Sequence, residues 1–264
     1  MTSGKNAKNA REEARRIASK NRPRSAGGSK KGLKIGIVVA ILAVIGIIVG
    51  IVVVGNNNSK VDLSNTTAPA NLSDNGSLVI QADTVEENTP VVQVAIDFQC
   101  PACKVFEEST GVELKNMADN GEIILEQKPV AILDGASSTN YSSRAGNAFA
   151  CVLNEYPEKA QDYIEALFTV QPAEGGAGIN NARLASVASD VGATGLEDCI
   201  SNNTYRGWMA KQTDDALADG LTATPSISIN GELWDRKGDL FEKIEAARNG
   251  ETINATTGTE TESK

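Results

Sequence analysis

Histidine is absent from the 264 residues of this chain, and aromatic side chains make up only 4% of it. Without an imidazole, the Ser-His-Asp and Cys-His arrangements of nucleophilic catalysis are excluded, together with most catalytic zinc sites. Any chemistry must therefore depend on cysteines, carboxylates, lysines or hydroxyls. The chain has four cysteines, and these are its most informative candidates: Cys100, Cys103, Cys151 and Cys199.

Charge is distributed unevenly along the chain, although the formal net charge is -9. Lys and Arg crowd the stretch from Lys5 to Lys34, whereas Asp and Glu predominate after about residue 60. An acidic surface repels a phosphate backbone, so the charge distribution argues against nucleic-acid binding by the folded part.

The segment from Ile35 to Val54 is apolar, carries no charge and is long enough to cross a bilayer as a helix. We interpret residues 34–55 as a transmembrane signal anchor. A buried core helix is rarely apolar on every face over such a length, and a cleaved signal peptide has a shorter basic region and a small-residue cleavage site. Basic residues precede the run and only Lys60 follows closely, so the positive-inside rule places the N-terminus in the cytoplasm. This pattern predicts a single-pass cell-membrane protein whose remaining part is extracytoplasmic.

Composition divides the rest of the chain. Residues 1–33 have no sustained apolar face and are expected to form a basic, disordered cytoplasmic tail. Residues 56–76 are rich in Asn, Ser, Thr and Ala, which is typical of a flexible linker. A disordered polar tail is expected over 251–264. The folded domain is therefore predicted over residues 77–250.

Hydrophobic patterns predict a mixed α/β domain. The first half contains strands at 78–80, 91–98 and 123–133, with a helix over 104–120 between the last two; Pro129 suggests a bend or an edge position. A helical middle follows, in which residues 194–197 form a capping-box pattern before a short helix. Strands at 226–229 and 232–234, joined by an Asn-Gly turn, and a final helix over 240–248 complete the chain. The order βαβ, helices, ββα predicts a thioredoxin fold with an all-helical insertion at about 135–219, preceded by one transmembrane helix.

The Cys100-Pro101-Ala102-Cys103 motif lies where a buried strand becomes a helix. Cys100 is then near a helix N-terminus, where free N–H groups lower the pKa of a thiol, and Cys103 is one turn further on the same face. Such a pair alternates between dithiol and disulfide through a mixed disulfide with a substrate. Half of a structural zinc site and an inert structural disulfide are the alternatives. No His and no second CxxC complete a zinc site, and so short a disulfide loop adds little stability.

Two stretches resemble the DsbA-like thioredoxin-fold oxidoreductases, in the membrane-anchored form found in actinobacteria. The stretch from Asp97 to Glu108, DFQCPACKVFEE, resembles the active-site segment of that family, and Gly220 to Gly231, GLTATPSISING, resembles its second conserved segment. The resemblance implies that Cys100 attacks, that Cys103 resolves, and that Pro225 is a cis-proline facing the cysteines. Thr224 would offer backbone groups to an extended substrate peptide. From the residues alone, Pro225 could equally be a trans-proline that opens a strand.

Two positions depart from better-known relatives. Ala102 replaces the His of the strongest oxidants, and Val94 stands six residues before Cys100, where thioredoxin has a buried acid. Both departures bear on the redox potential rather than on the chemistry.

The remaining cysteines lie in two different predicted helices. Two leftover cysteines in an oxidising compartment usually pair, and four cysteines allow three connectivities. We therefore expect a structural Cys151–Cys199 disulfide beside the Cys100–Cys103 redox pair.

These features favour an oxidase that donates disulfides to reduced secreted or cell-envelope proteins. A quinone-linked membrane partner, DsbB-like or similar to vitamin K epoxide reductase, would reoxidise it. A reductase or isomerase of the same fold would use the same residues, and an extracellular binding domain is a third alternative. No cofactor or metal is expected. The substrates and the oligomeric state are not encoded in these patterns.

Overall fold

The computed structural model describes residues 63–253. The predicted cytoplasmic tail, the membrane anchor, the first part of the linker (56–62) and the end of the polar tail (254–264) lie outside this range. Within residues 63–253, no helix is long and apolar enough to cross a membrane.

The described chain has the element order that the sequence predicts. The first half contains β1 (Leu78–Ile80), β2 (Val91–Ile96), α1 (Pro101–Phe106), a π-helical turn (Glu107–Gly111), α2 (Val112–Asp119) and β3 (Ile124–Pro129). The insertion contains α3 (Tyr141–Glu155), α4 (Ala160–Thr169), α5 (Asn181–Asp190), α6 (Glu197–Ser201) and α7 (Arg206–Ala218), with short 3₁₀ turns at Asp134–Ala136 and Pro157–Lys159. Strands β4 (Ser226–Ile229) and β5 (Glu232–Leu233) and helix α8 (Leu240–Arg248) complete the fold.

The five strands form one mixed sheet in the order β1-β3-β2-β4-β5. β2 and β3 are parallel, and the other neighbouring pairs are antiparallel. β2 is central, and its side chains Val92, Val94 and Ile96 are fully buried, as expected for a β-branched strand within a sheet. Asn230 and Gly231 both have positive φ, which allows the tight hairpin between β4 and β5. This topology confirms the predicted thioredoxin fold.

A continuous apolar core joins the sheet to the helical insertion. Val92 and Leu125 from the sheet belong to the same buried cluster as Phe149 from α3, Leu167 from α4 and Ile244 from α8. The insertion is therefore packed onto the strands that carry the cysteine motif, and its side chains can influence that motif directly.

The position of Pro129 in the sheet differs from the predicted bend or edge position. β3 is an internal strand, between β1 and β2, and Pro129 is its last residue. The ladder tolerates this proline because the next residue, Val130, supplies the N–H that bonds to the Ile96 carbonyl oxygen at 2.8 Å.

The chain before β1 also differs from the prediction of a flexible linker. The Ala70 N–H donates to Asn154 Oδ1 at 3.0 Å, and Asn71 Nδ2 donates to the Leu153 carbonyl oxygen at 3.1 Å. The side chain of Leu72 packs against the core. The last part of the predicted linker therefore lies along the insertion, because its few apolar and amide side chains find partners that composition alone does not reveal.

Two helix starts differ from the sequence prediction. The helix predicted over 104–120 begins at Pro101, the residue after Cys100. α6 begins at Glu197, but its N-cap residue, Leu196, makes no side-chain cap, so the predicted capping box is wrong. Thr194 lies too early in the chain to occupy the cap position.

Candidate active site

The cysteine motif begins immediately after the central strand. A tight turn follows β2, in which the Cys100 N–H donates to the Asp97 carbonyl oxygen at 3.0 Å. Cys100 is the N-cap of α1, and its own carbonyl oxygen accepts the first helical bonds from the N–H groups of Cys103 and Lys104. Pro101 occupies the first helical position, where a missing N–H leaves no bond unmade. The strand thus delivers Cys100 to a helix N-terminus, as the sequence predicts.

The second predicted segment faces the first across the sheet. β4 is antiparallel to β2, and its first residue, Ser226, pairs with Ala95 at the end of β2. This register places the loop before β4, which contains Thr224 and Pro225, next to the cysteine motif. The Thr224–Pro225 peptide bond is cis, and the Cys100 thiol donates to the Thr224 carbonyl oxygen at 3.3 Å.

The two sulfurs differ sharply in acidity. Both are thiols in this structure, and both residues are buried. A hydrogen bond from the Cys103 thiol is the largest cause that lowers the pKa of Cys100, from 9.0 to about 5. The Thr224 hydroxyl and the N–H groups of Cys103 and Ala102 add to this effect, while partial burial opposes it. Burial, and then the neighbouring Cys100, raise the pKa of Cys103 far above that of a free thiol. At neutral pH the pair therefore holds one thiolate, on Cys100.

Ala102 and Val94, the two positions that depart from known relatives, lie in different surroundings. Ala102 is exposed beside Cys100 and offers no side-chain donor to it. Val94 belongs to the apolar core of the sheet. The redox site therefore lacks the donors that His and a buried acid would supply at these two positions.

Asp97 is a buried acid that the sequence analysis did not assign to the site. Its Oδ1 accepts from the Gln99 N–H at 2.8 Å, and its Oδ2 accepts from the Leu133 N–H at 2.9 Å. Burial raises the pKa of this carboxyl from 3.8 to about 7, although the Ser142 hydroxyl and the two N–H groups favour the charged form. An acid within the otherwise apolar strand predicted over 91–98 was the available signal. Asp97 fixes the turn that leads into Cys100.

Glu107 is a second buried acid, in the π-helical turn one helical turn after Cys103. It accepts from Gln127 Nε2 at 3.1 Å and from Gln161 Nε2 at 3.3 Å. Burial raises its pKa. The FEE part of the motif contains this residue, but nothing in its spacing predicts that the first Glu points inward.

A groove of about 380 Å³, lined by both apolar and polar side chains, lies beside the cis-proline. Phe106, Pro225, Ile227, Trp234 and Phe241 line it. Arg236, at the same groove, donates to the Pro225 carbonyl oxygen. The sequence analysis did not predict this groove, because its lining comes from α1, β4 and the region that leads into α8.

Cys151 on α3 and Cys199 on α6 form a disulfide in the structure. This is the connectivity favoured from the sequence. The bond joins two helices of the insertion and leaves Cys100 and Cys103 to each other. Within residues 63–253, no group of three or more potential ligand side chains is placed to hold a metal ion.

Comparisons with known proteins agree with this geometry. A family model described as thioredoxin matches residues 86–246. Comparison with curated proteins gives no match. Among solved structures, the reduced disulfide bond oxidoreductase DsbG from Mycobacterium tuberculosis is 32% identical, with a TM-score of 0.55, over 66% of this chain and 92% of that chain. Reduced DsbA from the same organism is 31% identical, with a TM-score of 0.54, over 66% and 98% of the two chains.

A more distant structure shares the fold. MdbA, a thiol-disulfide oxidoreductase from Actinomyces oris, is 17% identical, with a TM-score of 0.56, and the match covers 74% of this chain and 98% of that chain. The thioredoxin model spans more than half of the chain, and the related structures align over most of their own length. The chain therefore belongs to the thioredoxin family, in which it is a DsbA-like thiol–disulfide oxidoreductase.

Proposed function

We propose that this oxidoreductase works as an oxidase that donates the Cys100–Cys103 disulfide to reduced secreted or cell-envelope proteins. The difference in acidity between the two sulfurs carries the proposal. A dithiol whose thiolate is stabilised favours the reduced form, and a couple with a stabilised reduced form is a strong oxidant.

The reaction has two exchange steps. A substrate thiolate attacks the Cys100 sulfur of the disulfide, the Cys100–Cys103 bond breaks, and Cys103 takes the electron pair and a proton. A second substrate thiolate then attacks the substrate sulfur of this mixed disulfide. Cys100 leaves as a thiolate, the substrate holds a new disulfide, and the enzyme has gained two electrons. A thiol of low pKa is the better leaving group, so the second step favours release of an oxidised substrate.

Reduction of a substrate disulfide, the reverse reaction, requires Cys103 to lose its proton. A reductase needs the Cys103 thiolate to attack the mixed disulfide, and burial raises the pKa of that thiol far above neutral pH. The acidity of the pair therefore favours oxidation over reduction or isomerisation.

Substrate docking is proposed at Thr224 and Pro225. The Thr224 carbonyl oxygen lies beside the Cys100 sulfur, so an extended peptide that pairs with this backbone brings its own cysteine to Cys100. The apolar part of the groove next to Pro225, formed by Phe106, Trp234 and Phe241, suits apolar substrate side chains that are exposed only before the substrate folds.

The direction of electron flow is tested by equilibrating the protein with glutathione redox buffers and counting free thiols by alkylation and mass spectrometry. We expect a potential between about -270 and -120 mV, above that of thioredoxin. A potential at or below about -270 mV would support the reductase alternative instead. A Cys100→Ala variant, which lacks the couple, is the control. If that variant kept the full cellular function, the chain would be a binding domain.

The membrane setting is also part of the proposal. The apolar run at 35–54 and the basic residues before it support a single-pass anchor with the catalytic domain outside the cell membrane. Protease treatment of intact cells should digest the catalytic domain and spare residues 1–33. Protection of the catalytic domain in intact cells would contradict this orientation.

A quinone-linked membrane protein, DsbB-like or similar to vitamin K epoxide reductase, is proposed to reoxidise Cys100 and Cys103. An enzyme that donates disulfides must be reoxidised after each turnover, and an anchored enzyme can meet such a partner within the bilayer. Membranes depleted of quinone should fail to reoxidise the reduced protein, and added quinone should restore the reaction. Equal rates with and without quinone would contradict this partner.

A further inference from the structure

Gln171 links the helical insertion to the backbone of the redox site. It follows α4, and its own N–H donates to the Phe168 carbonyl oxygen at 3.2 Å, which holds the residue at the end of that helix. Its side-chain Nε2 lies 3.0 Å from the Phe98 carbonyl oxygen and 3.0 Å from the Cys100 carbonyl oxygen. One amide group thus bridges two carbonyls of the turn that ends at the nucleophilic cysteine.

The two carbonyls depend on Gln171 to different degrees. The Cys100 oxygen also accepts from the Cys103 and Lys104 N–H groups, at 3.1 and 3.2 Å. For the Phe98 oxygen, Gln171 is the only donor among residues 63–253. Phe98 is fully buried, and a buried carbonyl without a donor is unfavourable. Loss of the amide would therefore displace the Phe98–Gln99 peptide or admit water beside it.

The helical insertion also packs against the side chain of Phe98. The Phe98 ring contacts the rings of Phe149 on α3 and Phe168 on α4, with 6.1 and 5.6 Å between centroids. Lys104 Nζ donates to the Thr169 carbonyl oxygen at 3.4 Å, a second link from α1 to the end of α4. With the ring held by packing and the Gln99 N–H bonded to Asp97 Oδ1, the amide of Gln171 holds the carbonyl side of the Phe98–Gln99 peptide.

We propose that Gln171 is a positioning residue that stabilises the Cys100 thiolate through the backbone of residues 98–100. The oxygen end of a carbonyl dipole is negative, so an unpaired carbonyl near the sulfur disfavours a thiolate. The amide N–H groups of Gln171 offset the dipole of the Phe98 carbonyl, which would otherwise be unpaired, and add a third donor to the Cys100 carbonyl, which keeps Cys100 at the start of α1. Gln171 donates to the backbone and not to the sulfur. The role applies to the thiol–disulfide chemistry in either direction of electron flow.

Gln171→Met tests the proposal, because methionine has a similar length and no donor. In the reduced variant, the midpoint of the Cys100 thiolate titration, followed by ultraviolet absorbance, should rise. The equilibrium with glutathione should shift towards the enzyme disulfide by about fivefold, the effect of one neutral hydrogen bond. Gln171→Ala, which also removes packing, should show the same redox shift together with a lower melting temperature.

Gln161→Met is the matched control. Gln161 lies on α4, the helix that Gln171 follows, and is also partly buried. It donates to the carboxylates of Glu107 and Glu165 rather than to the backbone of residues 98–100. It should leave the titration midpoint and the glutathione equilibrium unchanged.

Three results would overturn the proposal. The first is a Gln171→Met protein that matches the wild type in both redox measurements, whether or not it is less stable. The second is an equal redox shift in Gln161→Met. The third is failure of Gln171→Met to fold, which would make Gln171 a structural residue. The proposed oxidase direction is judged separately, from the absolute potential of the wild type, whereas this proposal concerns only the difference between variants.

Discussion

The Cys100 sulfur lies 3.3 Å from the Thr224 carbonyl oxygen, to which its protonated form donates, although 124 residues of chain separate the two. The contact exists because β2 ends at the cysteine motif while its antiparallel neighbour β4 begins just after Pro225. The Thr224 hydroxyl also helps to lower the pKa of Cys100. The nucleophile and its facing loop are therefore positioned by the central register of the sheet, and the acidity of Cys100 depends on both.

The reactivity of Cys100 should follow its lowered pKa. In the reduced protein, the rate of alkylation by iodoacetamide should fall as the pH is lowered, with a midpoint near pH 5, because the thiolate is the reacting species. A Cys100→Ala protein provides the background rate. A midpoint near 9, the ordinary thiol value, would contradict the proposed stabilisation.

The same pKa predicts how the stability of the reduced protein changes with pH. The folded pKa is below the unfolded value of 9.0, so the thiolate contribution is complete above about pH 9 and is lost as the pH falls through about 5. Urea denaturation of reduced wild type and of Cys100→Ser across this range should show their stability difference growing with pH. A difference that does not change with pH would contradict this prediction.

Thr224→Val should raise the pKa of Cys100 without altering the fold. Valine has nearly the same shape as threonine but no hydroxyl to stabilise the thiolate, while the backbone carbonyl of residue 224 is kept. The midpoint of the alkylation profile should move up from about 5, and the protein should become less oxidising against glutathione. Thr222→Val, in the same loop, serves as the control. An unchanged midpoint would assign the low pKa to Cys103 and the helix N-terminus.

Asp97→Asn should make stability less dependent on pH. Burial raises the folded pKa of Asp97 to about 7 from 3.8, so its contribution is complete below about pH 4 and is lost as the pH rises through about 7. Between about pH 4 and pH 7, the free energy of unfolding of the wild type should fall by roughly 2 to 4 kcal/mol relative to that of the variant, since a tenfold change in proton affinity is worth about 1.4 kcal/mol. Denaturation of the oxidised proteins measures the difference. Parallel pH profiles would show that Asp97 stays charged.

Removal of the Cys151–Cys199 disulfide should lower the free energy of unfolding and leave the oxidase activity intact. The Cys151–Cys199 bond closes a loop with a sequence separation of 48, for which the chain-entropy model gives about 4 kcal/mol. A Cys151→Ala/Cys199→Ala protein should unfold at lower denaturant and still oxidise substrates in the cold. A folded but inactive variant would instead make this bond a participant in electron transfer.

Much of the redox site is visible in the sequence because its signals are local. The CPAC motif follows a continuous apolar strand, and Pro101 suits a first helical turn, so the strand–helix junction at Cys100 could be predicted. The cis-proline needed the family resemblance, because a proline before a strand is compatible with either isomer. The pairing of Cys151 with Cys199 followed from the expected oxidising compartment and not from their spacing.

The missed features are tertiary. Gln171 lies 71 residues from Cys100 in sequence, and no periodicity reveals that its amide donates to the Phe98 and Cys100 carbonyl oxygens. Glu107 is buried by contacts with Gln127 and Gln161, which come from a strand and a distant helix. The groove beside Pro225 likewise depends on side chains from distant elements. Asp97 is different, since an acid inside a predicted buried strand could have been recognised as a buried group.

Trapping of substrates on Cys100 tests the central claim most directly. In cells that express Cys103→Ala, the mixed disulfide cannot be resolved by the second sulfur, so secreted or cell-envelope proteins should accumulate on Cys100 as adducts that dithiothreitol releases. Non-reducing gels and mass spectrometry identify them, and the Cys100→Ala/Cys103→Ala protein is the control that should carry none. We predict dithiothreitol-sensitive adducts in Cys103→Ala alone. Their absence, or equal adducts in the double variant, would contradict thiol–disulfide exchange at Cys100.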